Sequence, residues 1–210
     1  MARRYAAARI ADPAGYERTL ARTLDVLSAS TRVLELGCGT GNTALRLAPA
    51  CGDYLATDLS PQMIAIARDK LAAQPTAALR LALADADGPV APAEAPFDVV
   101  LAFNVLHLVD SLDATLAACV AALRPGGLLV SKTPCLHEMN PLIPRLALPV
   151  ARLLRLAPPV GCLREADLTA AMARQGLTLV GVERHASRGR DFRPFIVARK
   201  PGQAAAGATA

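Results

Sequence analysis

Apolar positions along the chain alternate between two periods. Runs in which they are continuous or every second residue, as strands require, are separated by stretches in which they recur every three or four residues, as helices require. Residues 16–28 read as a leading helix with Leu20, Leu24 and Leu27 at helical spacing, and Thr31 to Gly37 as a first strand ending in a glycine turn. A short helix from Thr43 to Ala48 is closed by Pro49, and Tyr54 to Thr57 form a second strand. Ser60 and Pro61 supply an N-cap and a first-turn proline for a helix with Met63, Ile64, Ala67 and Leu71 on one face. Leu79, Leu81 and Leu83 alternate as a third strand, and Phe97 to Phe103 read as a fourth, covered on both sides. A helix from Ser111 to Leu123 stops at Arg124-Pro-Gly-Gly127, before a fifth strand from Leu128 to Thr133.

This alternation, from about residue 13 to 133, predicts a parallel sheet with crossover helices. The rhythm breaks at residues 134–162, where Pro134 is followed by Pro141, Pro144, Pro149, Pro158 and Pro159, so this stretch reads as a lid-like insertion. A helix from Glu165 to Arg174 then ends at Gly176. Two closing strands, about 177–185 and 193–199, are joined by a short turn-rich link and are expected to pair as an antiparallel edge. The expected architecture is therefore an α/β domain over residues 1–200, with a seven-stranded, mostly parallel sheet, helices on both faces and one antiparallel edge hairpin. Residues 201–210 are small and are expected to be a disordered tail.

At 210 residues the chain is long enough to close one core without staples. With 53% hydrophobic but only 3% aromatic residues, that core must be built from Ala, Leu and Val, and an aromatic nucleic-acid platform is disfavoured. The net charge of +5 points the same way, because the arginines are scattered and the richest group, Arg184 to Arg193, also holds Glu183 and Asp191. Cys38, Cys51, Cys119, Cys135 and Cys162 form no CxxC pair, so no metal site is expected and a reducing, cytoplasmic setting is. The N-terminus MARRYAAARIADP has no apolar core, and no window approaches the roughly 18 apolar residues of a spanning helix, so neither secretion nor a membrane span is expected.

In open α/β sheets ligands bind beyond the carboxyl ends of the strands, which makes the strand ends the residues to read. The first strand ends in Glu35-Leu-Gly37-Cys38-Gly39-Thr-Gly41-Asn42, three glycines that let a ligand approach the backbone closely. Their frame is GxGxG, and Asn42 stands where a dinucleotide fingerprint would want its third glycine. The second strand ends at Asp58, seventeen residues past Gly41, where a carboxylate can accept from both hydroxyls of a ribose. The third ends at Asp85, with Asp87 a neighbouring candidate to accept from an exocyclic amino group.

The blocks VLELGCGTGN (33–42), ATDLSPQMI (56–64), ADADG (84–88), FDVVLAFNVLHLV (97–109) and LRPGGLLVSKTP (123–134) together resemble the class I S-adenosylmethionine-dependent methyltransferases, over residues 16–134. The resemblance implies a Rossmann-like sheet and S-adenosyl-L-methionine as cofactor. It implies that Glu35 and the loop of Gly37, Cys38, Gly39 and Gly41 flank the methionyl end, that Asp58 holds the ribose, and that Leu59 and Met63 pack near the adenine. Asp85, with Ala86 beside it, would read the adenine edge, and Asn104 would lie beside the sulfonium and amino group. The subgroup looks like the small-molecule and lipid methyltransferases that include the ubiquinone/menaquinone C-methyltransferases, although the later chain departs from any assignable pattern.

If the acceptor carries a proton, a general base is required. His107, four residues past the fourth strand, is the candidate, with a half-buried packing role as its alternative; His137 and His185 are weaker ones. Residues 141–157 mix leucines with Arg145, Arg152 and Arg155 and contain no acid. They suit a hydrophobic acceptor such as a lipid or quinone, peripheral contact with the inner face of a membrane, or an ordinary packed lid. A nucleic-acid acceptor is not expected, since no basic, aromatic recognition module is present. Methylation of a soluble polar metabolite, or cofactor binding without catalysis, remain alternatives.

Overall fold

The computed structural model describes residues 10–86, 88, 94, 96–139 and 161–202. Its strands are β1 (Arg32–Leu36), β2 (Asp53–Asp58), β3 (Leu79–Leu83), β4 (Phe97–Phe103), β5 (Leu123–Lys132), β6 (Thr178–Glu183) and β7 (Phe195–Arg199). The helices are α1 (Pro13–Leu24), α2 (Asn42–Leu47), α3 (Pro61–Ala73), α4 (Leu112–Ala122), α5 (Leu136–Met139) and α6 (Glu165–Arg174). The strands form one sheet in the order β3-β2-β1-β4-β5-β7-β6, parallel from β3 to β5, with β7 antiparallel to both β5 and β6. This is the expected sheet, its antiparallel pair at one edge.

Several boundaries differ from the expectation, each for a local reason. The leading helix starts at Pro13 rather than 16, because the Asp12 side chain caps the Gly15 N–H and Pro13 fits the first turn. It ends at Leu24, which is 39% exposed, while Leu27 reaches the core from the turn that follows. The fifth strand begins at Leu123 rather than 128: Leu123 pairs with Phe97, and the Pro-Gly-Gly stretch bulges before pairing resumes at Leu128 with Val99. Leu83, expected in line with Leu79, is 55% exposed at the end of the edge strand β3. Residues 140–160, which contain the basic leucine-rich segment 141–157, Asp87, and 203–210 of the tail lie outside the described residues.

Alternation along the strands sorts the core into two layers. Leu34, Val100, Leu129 and Ile196 face α4 and α6. Val33, Val99, Leu101, Val130 and Phe195 face Leu20 of α1, Ala44 and Leu47 of α2, and Ile64 of α3. The same parity carries Glu35, Phe103 and Lys132 onto the α1 face at the carboxyl ends of β1, β4 and β5. No helix among the described residues is long and apolar enough to cross a membrane.

Gly176 closes α6 with φ 77°, its N–H bonded to the Ala173 carbonyl while the Leu177 N–H reaches Met172. A Cβ at Gly176 would meet nothing within 4 Å, so only backbone handedness is at stake. Gly176→Ala is expected to cost about 1 kcal/mol and to lower Tm by about 2–4 °C in thermal denaturation. An unchanged Tm would mean that the turn relaxes into another conformation.

Candidate functional site

Beyond β1 the chain turns through Gly37, Cys38, Gly39, Thr40 and Gly41 into α2. The three glycines have φ of 66°, 56° and 76°, left-handed values that side chains rarely adopt. Gly37 is restricted twice, since a Cβ there would come within 2.7 Å of Val105 Cγ2. The loop is tied to the end of β2: the Cys38 N–H donates to the Thr57 carbonyl (2.8 Å) and the Gly39 N–H to Asp58 Oδ2 (2.8 Å). Asp58 Oδ1 accepts from the Ser60 N–H (2.8 Å), so both oxygens are oriented and each retains a lone pair. From outside, Lys70 donates to the Thr40 carbonyl and to Asn42 Oδ1.

This loop separates two cavities. One, of about 290 Å3, is lined by Tyr16, Glu35, Cys38, Phe103 and Lys132 among others. The second, of about 360 Å3, is lined by Asp58, Leu59, Met63, Asp85 and Ala86. Gly37, Gly39 and Asn104 line both, so the cavities meet over the glycines. Asn104 is the one non-glycine residue of positive φ (54°) among the described residues, at the turn that ends β4, and its N–H donates to the Lys132 carbonyl. Leu59 is 66% exposed, an apolar side chain held open at the rim of the second cavity.

Of the expected site residues, Gly41 and His107 line neither cavity. Gly41 instead precedes α2 and packs against Ala67 of α3. His107 is half-buried, and its carbonyl accepts from the Gly161 N–H. Burial lowers its pKa, which leaves it neutral at pH 7. His137 bonds to Arg164, and His185 is buried between Thr19 and Glu183.

Glu35 is fully buried and accepts a hydrogen bond from the Tyr54 hydroxyl (2.9 Å). Loss of hydration raises its pKa to about 7, with the Asp58 charge adding to the rise and the Tyr54 bond opposing it. The Cys38 thiol is pushed above its ordinary range, first by burial and then by the charges of Glu35 and Asp58, so it is a small packed side chain rather than a nucleophile.

Sequence reasoning missed Tyr54, Tyr16, Phe103, Arg193 and Lys132. Lys132 carried a usable signal: it ends β5, and the rule that selects strand ends applies to it as it does to Asp58 or Asn104. Phe103 ends β4 in the same way, whereas Tyr16 and Arg193 come from elements whose approach to the sheet ends is a tertiary matter.

Residues 34–129 match the model of a family described as a methyltransferase domain. Over 135 residues, 60% of this chain, the sequence is 33% identical to part of an iterative polyketide synthase of Emericella nidulans, of which the match covers 5%. Over 125 residues, 54% of this chain, it is 38% identical to part of a polyketide synthase of Burkholderia thailandensis, of which it covers 2%. The chain thus spans a small fraction of the length of these relatives. An S-adenosylmethionine-dependent methyltransferase of Mesorhizobium loti superposes over 90% of this chain and 99% of its own, with a TM-score of 0.71 and 21% identity, which speaks to the fold.

The electrostatics of Glu35 generate a stability prediction. Its pKa rises from the ordinary 4.5 unfolded to about 7 folded, so the folded state holds the proton more tightly. Folding stability therefore falls as pH climbs from about 4.5 to about 7, by on the order of 3 kcal/mol in total, and is flat beyond. The buried histidines, whose pKa values are lowered, act with the opposite sign below about pH 6.5, so the Glu35 contribution must be read as a difference. Urea denaturation of wild type and Glu35→Gln between pH 5 and 8 should show Glu35→Gln gaining stability relative to wild type as pH rises. Parallel pH profiles would mean that Glu35 titrates normally.

Proposed function

We propose that the chain is a class I S-adenosylmethionine-dependent methyltransferase that moves a methyl group to a small, largely apolar acceptor of lipid or quinone type. The observation that supports this most is the meeting of the two cavities over Gly37, Gly39 and Asn104, with carboxylates in both. Glu35 stands in the first and Asp58 in the second. That spacing suits a ligand with an amino group at one end and a ribose further along.

The residues fit the cofactor. The two oriented oxygens of Asp58, each with a lone pair left, suit a ribose diol. Glu35 is the buried acceptor for the methionyl ammonium, with Cys38 and Asn104 beside it; Leu59 and Met63 give the adenine apolar cover, and Asp85 and Ala86 flank its edge. Gly41 contributes by letting the loop enter α2. The bound cofactor supplies a methyl group already activated on a sulfonium. What the chain does is align the acceptor, from a cavity walled by Phe103 and Tyr16, and keep water from the reacting atoms.

The acceptor reading rests on that cavity, on the leucine-rich basic segment 141–157 and on the polyketide synthases among the relatives. We place the protein in the cytoplasm, at most peripheral to the inner membrane face through residues 141–157, acting on a small molecule rather than on nucleic acid. His107 is retained as a base only for an acceptor long enough to reach it.

Incubation with methyl-labelled S-adenosylmethionine and an extract of the source cells, partitioned between organic and aqueous phases, tests the proposal. Label is expected in the organic phase and should fall at least tenfold with Asp58→Ala. Label confined to the aqueous phase would replace the lipid or quinone acceptor with a polar metabolite. Cofactor binding with no transfer to either phase would make the protein a non-catalytic binder.

A further inference from the structure

Lys132, the last residue of β5, is only 8% exposed, and its side chain reaches the cavity that also holds Glu35, Phe103 and Asn104. An ammonium at that depth has given up most of its hydration and calls for a compensating negative charge. Among the described residues its Nζ makes one hydrogen bond, to Thr19 Oγ1 (2.7 Å), and no ion pair.

Asp191 and Asp12 act on the ammonium through their charge but make no direct contact with it, because other donors hold them. Asp191 accepts from the N–H groups of His185, Ala186 and Arg193, Asp12 from Gly15 and Ser187, and Glu35 from Tyr54. Thr19 is itself fixed, donating to the Gly15 carbonyl and touching His185 Nδ1 (3.0 Å); His185 Nε2 contacts Glu183, which pairs with Arg22. This chain of polar contacts runs away from the cavity, so it holds the ammonium from behind. Arg193 lines the same cavity and also an adjoining groove of about 540 Å3 that carries Arg188 and Arg190. The same groove also carries Asp12 and Asp191, so three arginines face two carboxylates along the approach to Lys132.

We propose that Lys132 recognises an ionised oxygen of the methyl acceptor, a carboxylate or phenolate, so that the substrate class is an apolar organic acid. The proposal rests on the methyltransferase reading above. A carboxylic acid has already lost its proton to water when it binds, and a phenol gives its proton to bulk water as it pairs with the ammonium. The acceptor's nucleophilic atom donates an electron pair to the methyl carbon as the S–CH3 bond breaks with its pair going to sulfur. One anion and one sulfonium become two uncharged centres, which ends the ion pair with Lys132 and favours product release. The methionyl carboxylate of the cofactor is the other source of the same chemistry. Against it, Lys132 stands on β5, separated from the glycine turn of β1 by the whole of β4, roughly 10 Å across the sheet.

Isothermal titration calorimetry of wild type, Lys132→Met and Lys132→Arg separates these sources. The ligands are S-adenosylhomocysteine and, in its presence, 2-naphthoate and the uncharged 2-naphthylmethanol. Wild type is expected to bind the acid at least tenfold more tightly than the alcohol. Lys132→Met should lose that preference while binding S-adenosylhomocysteine and the alcohol within twofold of wild type, and Lys132→Arg should restore it. A tenfold loss of S-adenosylhomocysteine affinity in Lys132→Met would assign the ammonium to the cofactor and overturn the proposal. So would an acid preference that survives Lys132→Met. Binding of the alcohol without preference for the acid would leave the apolar-acceptor reading standing and remove Lys132 from it. A wild type that binds acid and alcohol alike overturns the proposal even if Lys132→Met fails to fold.

Discussion

The hydrogen bond from the Gly39 N–H to the Asp58 carboxylate is the contact on which the site depends. It joins the turn after β1 to the end of β2, and the Ser60 N–H holds the same carboxylate from the first turn of α3. One acidic side chain therefore sets the height of the glycine loop, the aim of its own two oxygens and the start of a helix. The bond is possible only because Gly39 adopts a left-handed backbone, and the parallel register that brings Leu36 beside Thr57 delivers both partners to the same rim. With the loop at that height, the two cavities open on either side of it.

A second constraint is parity. Because successive side chains on a strand face opposite ways, placing Val33, Val99 and Val130 against α1 and α2 commits Glu35, Phe103 and Lys132 to that side as well. The packing of the apolar residues thus decides where the polar ones at the strand ends must project. The sheet supplies the depth, and α1 supplies the roof: Tyr16 and Thr19 descend from it, and Tyr16 is fixed to α2 by its contact with Thr43.

This is why most of the fold was legible in the sequence and part of the site was not. Strand runs, the Ser60-Pro61 cap and the Gly176 stop are local signals, and the structure reproduces them. So are the glycines and Asp58, whose conformational or chemical demands show in a few adjacent letters. Tyr54 was read only as a strand residue, since its bond to Glu35 needs the registration of β2 against β1. The sequence pattern runs the fifth strand on to Thr133, which puts Lys132 one residue inside its end, whereas the register against β4 makes Lys132 itself the last. His107 has suitable chemistry, but after the turn that follows Asn104 it lines neither cavity.

Glu35 and Lys132 share one cavity yet make no ion pair with each other, and the reason is the width of the sheet. β4 lies between their strands, and each group is held from its own side, Glu35 by Tyr54 and Lys132 by Thr19. Burial acts on both in the same sense, raising the acid and lowering the base, so each is drawn towards its uncharged form. A ligand that brings a positive charge to Glu35 and a negative one to Lys132 reverses both tendencies at once. The cavity is therefore best satisfied by two charges of opposite sign, the pattern that the methionyl ammonium of the cofactor and an acidic acceptor would bring together.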